Sequence, residues 1–90
     1  MQIIFPPYVL KRMIERQITV AEVRGVYENG EVIEDYPHDV PPRRLMLGWS
    51  GKRPLHAIFE DDSLAQETIA VTVYEPDRQR WKANFTKRKK

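Results

Sequence analysis

The 90-residue chain contains no cysteine, which excludes disulfides, thiolate nucleophiles, zinc–thiolate sites and iron–sulfur clusters. Histidine stands only at positions 38 and 56, too few for a multi-histidine metal centre, so neither a metal nor a cofactor is expected. No apolar run approaches the ~20 residues of a membrane span. The apolar start up to Phe5 is too short for a signal-peptide core and has no basic flank before it. A cytoplasmic location without a membrane partner is therefore expected. Glycine-rich phosphate loops, a nucleophile elbow, internal repeats and low-complexity segments are also missing, which puts metabolic enzymes last among the possible classes.

What is present is ordinary for a folded domain: 41% hydrophobic and 31% charged residues. A chain of this length has room for one core, and the expectation is a single domain over residues 1–86 followed by a basic tail, 87–90. The net charge of +2 hides an asymmetry. Residues 77–90 carry seven bases against Asp77 alone, whereas residues 1–76 carry eight bases and twelve acids. A basic terminus on an acidic body suits a phosphate-bearing partner, because each cation near a polyanion releases condensed counterions. The same block also reads as a solvated tail that maintains solubility.

Periodicity orders the elements. Gln2 to Phe5 is a short strand candidate, and Pro6-Pro7 sets the first turn of a helix from Pro7 to Arg16. Its apolar arc holds Val9, Leu10, Met13 and Ile14, with Arg12 and Arg16 on one flank. Thr19 and Glu22 have capping-box spacing, predicting a second helix that ends at Asn29-Gly30. The period then falls to 2, giving four strand candidates: Glu31 to Tyr36, Arg43 to Trp49, Pro54 to Glu60 and Thr68 to Tyr74. Asp77 is placed to cap a last short helix that docks Trp81 and Phe85, and Trp49 reads as a core anchor. The expected fold is thus α+β: two N-terminal helices on a four-stranded antiparallel sheet, with a short C-terminal helix and the tail. If Leu45, Leu47 and Trp49 share the helix-covered face with Leu55, Ala57 and Phe59, the intervening loop has three or five residues around Ser50-Gly51-Lys52.

That register leaves Arg44, His56, Thr72 and Tyr74 on the opposite face, with Arg12 and Arg16 at its rim. Metal-free RNA cleavage needs a base for the 2′-hydroxyl proton, cations for the charged phosphorane and an acid for the 5′-oxygen. His56 and Tyr74 are the proton-transfer candidates, and Arg12 and Arg16 complete the catalytic set. Arg44, Lys87, Arg88, Lys89 and Lys90 are the candidates for binding RNA phosphates. Each has a plain structural reading as well: a hydrogen-bonded strand histidine, arginines paired with acids along the core edge, a tyrosine closing a sheet edge, a solvated tail. His38, beside Asp39 in a proline-rich loop, has no expected role.

The succession Leu10, Arg12-Met13, Glu15-Arg16, Ile18, Val23, Asn29-Gly30-Glu31, Ile33-Glu34, Tyr36-Pro37, Leu45-Met46-Leu47-Gly48, Gly51, Pro54-Leu55-His56, Thr72-Val73-Tyr74-Glu75-Pro76-Asp77, Trp81 and Lys87-Arg88-Lys89 resembles a family of small prokaryotic domains of unknown function. In its helix–helix–sheet order that family is distantly similar to ribonuclease toxins of the RelE and BrnT kind. The resemblance implies an endoribonuclease toxin acting on mRNA, including ribosome-bound mRNA, and neutralised by an antitoxin protein. Tyr8 stands where many relatives have a histidine, a departure that favours the alternative: a non-catalytic RNA- or protein-binding module of the same fold.

Overall fold

The computed structural model describes residues 2–88. Strand β1 (Gln2–Ile4) is followed by helices α1 (Pro7–Glu15) and α2 (Val20–Asn29), then by strands β2 (Glu31–Tyr36), β3 (Arg43–Ser50), β4 (Arg53–Asp62) and β5 (Glu67–Tyr74). Pro7 sits in the first turn of α1, where its missing N–H costs nothing. The capping box of α2 forms as its spacing predicts: the Glu22 amide donates to Thr19 Oγ1 at 3.1 Å and the Thr19 amide to Glu22 Oε1 at 2.9 Å. Between the helices Gln17 adopts φ 57°, and Arg53 closes the end of α1 by donating to the carbonyls of Arg16 and Gln17, each at 2.7 Å. The same guanidinium meets Glu75 at 3.0 Å, tying α1 to β4 and to the end of β5.

The sheet differs from the expected one. It has five strands in the order β1-β5-β4-β3-β2, and β1 runs parallel to β5, so the sheet is mixed. Gln2 to Ile4 pair with Glu67 to Ile69, and the long connection that this parallel pair requires runs through both helices and through β2, β3 and β4. Three residues carry too little pattern to announce a pairing partner 65 positions away. Among the described residues the expected C-terminal helix is also absent. Asp77 does start a turn, its carboxylate accepting from the Gln79 amide at 2.8 Å and its carbonyl from the amides of Arg80 and Trp81. The turn does not propagate: Phe85 takes φ 59°, and the segment folds back through a single bridge between Trp81 and Arg88.

The register of the β3–β4 hairpin is the third correction. Ser50 pairs with Arg53 and Leu47 with His56, leaving a two-residue turn, Gly51-Lys52, in which Gly51 has φ 62°. A one-residue change of register exchanges the faces of a strand. Met46, Leu55, Ala57, Phe59, Ala70 and Val73 therefore meet Val9, Met13, Ile18, Val23 and Val26 beneath the helices. Leu45 and Leu47 face the other way, against Trp81 and Phe85. Both faces are covered, so large apolar residues do not have to share one. A bulge between Ile58 and Phe59 in the pairing with β5 shifts the phase again, placing both Ala70 and Val73 on the helix side. Leu10 and Ile14, expected in the buried arc of α1, are instead exposed.

Helix α2 approaches β3 closely at Gly48, where a Cβ would lie 2.7 Å from Val26 Cγ2 and 2.8 Å from Val26 Cα. Gly48→Ala is expected to destabilise the fold by about 1–3 kcal/mol through overpacking. Gly25→Ala, in a helix with nothing within 4 Å of the added methyl, is expected to stabilise it by about 0.5–1 kcal/mol. Urea titration of the two variants checks both signs.

Candidate active site

Alternation along β4 turns His56 away from the helices, and pairing sets it between Leu47 of β3 and Tyr74 of β5. Residues 77–88 then fold across this face. Trp81 packs on the imidazole with ring centres 4.3 Å apart and planes at 87°, and Phe85 closes over the same cluster. His56 is left 0% exposed. Both ring nitrogens are engaged: Nε2 lies 2.8 Å from the Phe85 carbonyl and Nδ1 3.2 Å from the Tyr74 hydroxyl. A carbonyl only accepts, so in the neutral ring Nε2 carries the proton and Nδ1 accepts from the Tyr74 O–H.

Loss of water around the ring lowers the His56 pKa below its ordinary value, against the opposing pull of the Phe85 carbonyl and the Glu34 carboxylate. Desolvation raises the Tyr74 pKa. At neutral pH the pair is thus an imidazole base facing an intact phenol. Phe85 holds its carbonyl on the ring only by adopting the left-handed φ of 59°, a conformation costing about 1–3 kcal/mol in a residue with a side chain. Burial of its ring, with the Trp49 ring centre 5.9 Å from its own and the Arg78 guanidinium 5.8 Å above it, supports that conformation.

Tyr74 is half-buried, and beyond it opens a small pocket lined also by Glu75, Asp77, Arg80, Trp81 and Arg88. The Arg88 guanidinium stacks over Trp81 at 5.2 Å and lies 3.9 Å from Glu34, whose carboxylate also accepts from the Tyr36 hydroxyl. That hydrogen bond pushes the Tyr36 pKa up to about 12.

Of the residues singled out in the sequence, His56, Tyr74 and Arg88 come together, Arg88 lining the pocket at Tyr74; Arg12, Arg16 and Arg44 do not join them. Arg44 is on the helix face, paired across the ladder with Phe59, 5.3 Å over the Tyr27 ring and 3.4 Å from Asp61. Arg12 is exposed on α1 with Glu15 3.4 Å away. Arg16 donates to the Val73 carbonyl at 2.7 Å, and Tyr8 to the Val71 carbonyl at 3.1 Å. These two α1 side chains cover the edge of β5 beyond the reach of β1. Lys87 is anchored through its carbonyl, which accepts from the Lys82 amide at 2.8 Å, while Lys89 and Lys90 lie outside the described residues. His38 is exposed in its loop. Arg80, Trp81 and Phe85 were not chosen for this site from the sequence; the signal was the basic block itself, with two aromatics four residues apart that needed a surface to cover.

A two-layer α+β domain with a buried histidine–tyrosine pair on its helix-free face is the class that these features define. The chain belongs to the family described as a domain of unknown function, DUF4258, whose model matches residues 9–75. The match takes in His56 and Tyr74, while β1, Trp81, Phe85 and Arg88 lie beyond it. No curated protein and no solved structure matches the chain. Among the described residues no helix is long and apolar enough to cross a membrane.

The lowered His56 pKa fixes the direction of one pH effect. Its contribution to stability is complete above the ordinary value of about 6.5. It is lost as the pH falls toward the folded-state value, because the unfolded chain takes up the proton first. The melting temperature of the native chain is expected to fall between pH 7 and 5 more steeply than that of His56→Gln; equal slopes in thermal melts would remove His56 as the cause.

Proposed function

We propose that this domain is a metal-independent endoribonuclease in which Tyr74 touches the substrate and His56 acts behind it. The observation that carries this reading is the chain from the Phe85 carbonyl to His56 Nε2 at 2.8 Å and from Nδ1 to the Tyr74 hydroxyl at 3.2 Å. It has the logic of an oriented base: one group fixes the tautomer, the ring accepts a proton, and the accepted proton belongs to a hydroxyl at a pocket. A 2′-hydroxyl placed against Tyr74 attacks phosphorus and gives its proton to the phenol oxygen as the phenol proton passes to His56 Nδ1. The P–O5′ bond breaks, the 5′-oxygen takes a proton from water, the hydroxide so formed recovers a proton from Tyr74 as His56 returns its own to the phenol, and the products are a 2′,3′-cyclic phosphate and a 5′-hydroxyl. The intervening imidazolium keeps its bond to the Phe85 carbonyl and feels the Glu34 carboxylate. Arg80 and Arg88, lining the pocket, are the cations for the phosphorane.

In this reading Arg12, Arg16 and Arg44 have no part in the chemical step, and Lys87 contributes to phosphate binding. Lys89 and Lys90 extend the same charge along the chain. The toxin class, with mRNA as target and an antitoxin protein as partner, rests on the likeness to RelE- and BrnT-type nucleases and on this chemistry together. One observation favours the second reading, a binding module without turnover: the His56 ring is wholly buried, so every proton it exchanges with substrate passes through Tyr74.

Chelator-treated protein incubated with labelled total RNA and ribosome-bound mRNA is expected to leave 2′,3′-cyclic phosphate ends. Tyr74→Phe and His56→Gln, shown to be folded, are each expected to lower the rate by about 10²–10⁴-fold. Full activity in Tyr74→Phe would overturn the relay, and no cleavage by the folded native chain would leave the binding module.

A further inference from the structure

Trp49 is 54% exposed although the sequence reads it as a core anchor, while the other tryptophan, Trp81, is 5% exposed. Phe85 meets its indole at 69° and holds it in place without covering it. Glu31 pairs across the ladder with Leu47, so it shares a sheet face with Trp49 two residues further on and is its diagonal neighbour, ~7–8 Å away. Trp49 and Glu31 together border two adjoining grooves. One is completed by Gly25 and Asn29, the other by Asn84 and Lys87. Gly25 lies within α2, where glycine is costly, and a side chain there would meet nothing of the protein within 4 Å; its bareness keeps the groove open.

We infer that Trp49 is a stacking platform for a guanine base of single-stranded RNA, with Glu31 reading the base edge and Lys87 holding an adjacent phosphate. The inference rests on the ribonuclease reading for its choice of RNA, but its stacking site is separate from the His56–Tyr74 pair. An exposed, braced indole beside a cation is the elementary unit of single-strand binding. Among the residues lining these grooves the exposed large apolar side chains are Val32 and Trp49, a small patch for a protein interface. A phosphate chain complements Lys87 in the groove, and Arg78 stacks on the same Phe85 ring that braces Trp49.

The choice of base follows from hydrogen bonding. A carboxylate only accepts, and its two oxygens match two adjacent N–H donors. Guanine offers N1–H and N2–H side by side. Adenine and cytosine each set a ring acceptor next to their amino group, and uracil flanks its single N–H with carbonyls. Strand spacing and rise put Trp49 about 12 Å from Tyr74, two strands across and two residues along, so a short single strand spans both.

The test uses the full chain and fluorescein-labelled 2′-O-methyl octamers, which cannot undergo transesterification: oligouridine with one central guanine, and its adenine counterpart, read by anisotropy. The guanine octamer is expected to bind at least about fivefold more tightly than the adenine one. Trp49→Leu should weaken its binding by at least about fivefold, and Trp49→Phe should retain most of it. Glu31→Gln should remove the preference for guanine, and Lys87→Ala should lower the salt dependence by about one phosphate contact. Circular dichroism establishes that each variant is folded, and Trp49→Phe decides the matter if Trp49→Leu is not. Equal binding of the two octamers, unchanged binding in Trp49→Leu, or no binding by the native chain overturns the inference. Cleavage of unmodified RNA without octamer binding would overturn this site and leave the nuclease, whereas Trp49-dependent binding without cleavage would do the reverse.

Discussion

The hydrogen bond from His56 to the Phe85 carbonyl, 2.8 Å long, joins the sheet to a segment that has almost no regular structure of its own. Residues 77–88 contain one isolated bridge, and what holds them is the seating of Trp81 and Phe85 on the helix-free face around the imidazole. The dependence is mutual. Without that cover Leu45, Leu47 and His56 would meet water, and without a ring that donates from Nε2 and accepts at Nδ1 the cover would bury unpaired polar atoms on both sides. An uncharged histidine meets both demands, which a leucine or a lysine at position 56 would not.

The molecule has two faces with different tasks. Beneath the helices lies a core built on Val9, Met13, Val23, Val26 and Phe59, with Arg16, Tyr8 and Arg53 stitching α1 and its C-terminal end to β5 and β4. The other face collects aromatic rings, the half-buried Tyr74 and the cations of the C-terminal segment. Arg16 and Arg44 on the helix side are spent on a carbonyl and an acid, whereas Arg80 and Arg88 line the pocket at Tyr74, Arg88 beside Glu34.

Much of this was legible in the sequence. The capping box at Thr19 and Glu22, the turn from helix to strand at Gly30, the bounds of β2 and the start of β3 follow from local chemistry, and the sequence singles out both His56 and Tyr74 as proton-transfer groups. The failures share a cause: each depended on a contact distant in sequence. β1 found the edge of β5, the hairpin closed on two residues because Gly51 reaches φ 62°, and Phe85 accepted φ 59° to bring its carbonyl to the imidazole. Alternation alone could not assign the faces of β3, because Leu45, Met46 and Leu47 are all buried. Arg44 shares a face with His56 only under the register that the two-residue turn excludes, and of the two cations at the pocket Arg88 is a phosphate candidate in the sequence whereas Arg80 is not.

The most direct test of this account is the nitrogen-15 NMR spectrum of the His56 ring, followed from pH 8 to pH 5. A single tautomer with the proton on Nε2, a hydrogen-bonded Nδ1, and titration displaced below the range of an exposed histidine is the result the account requires. A ring that exchanges tautomers and titrates near 6.5 would contradict it, because neither the C-terminal cover nor the relay to Tyr74 survives without that bond.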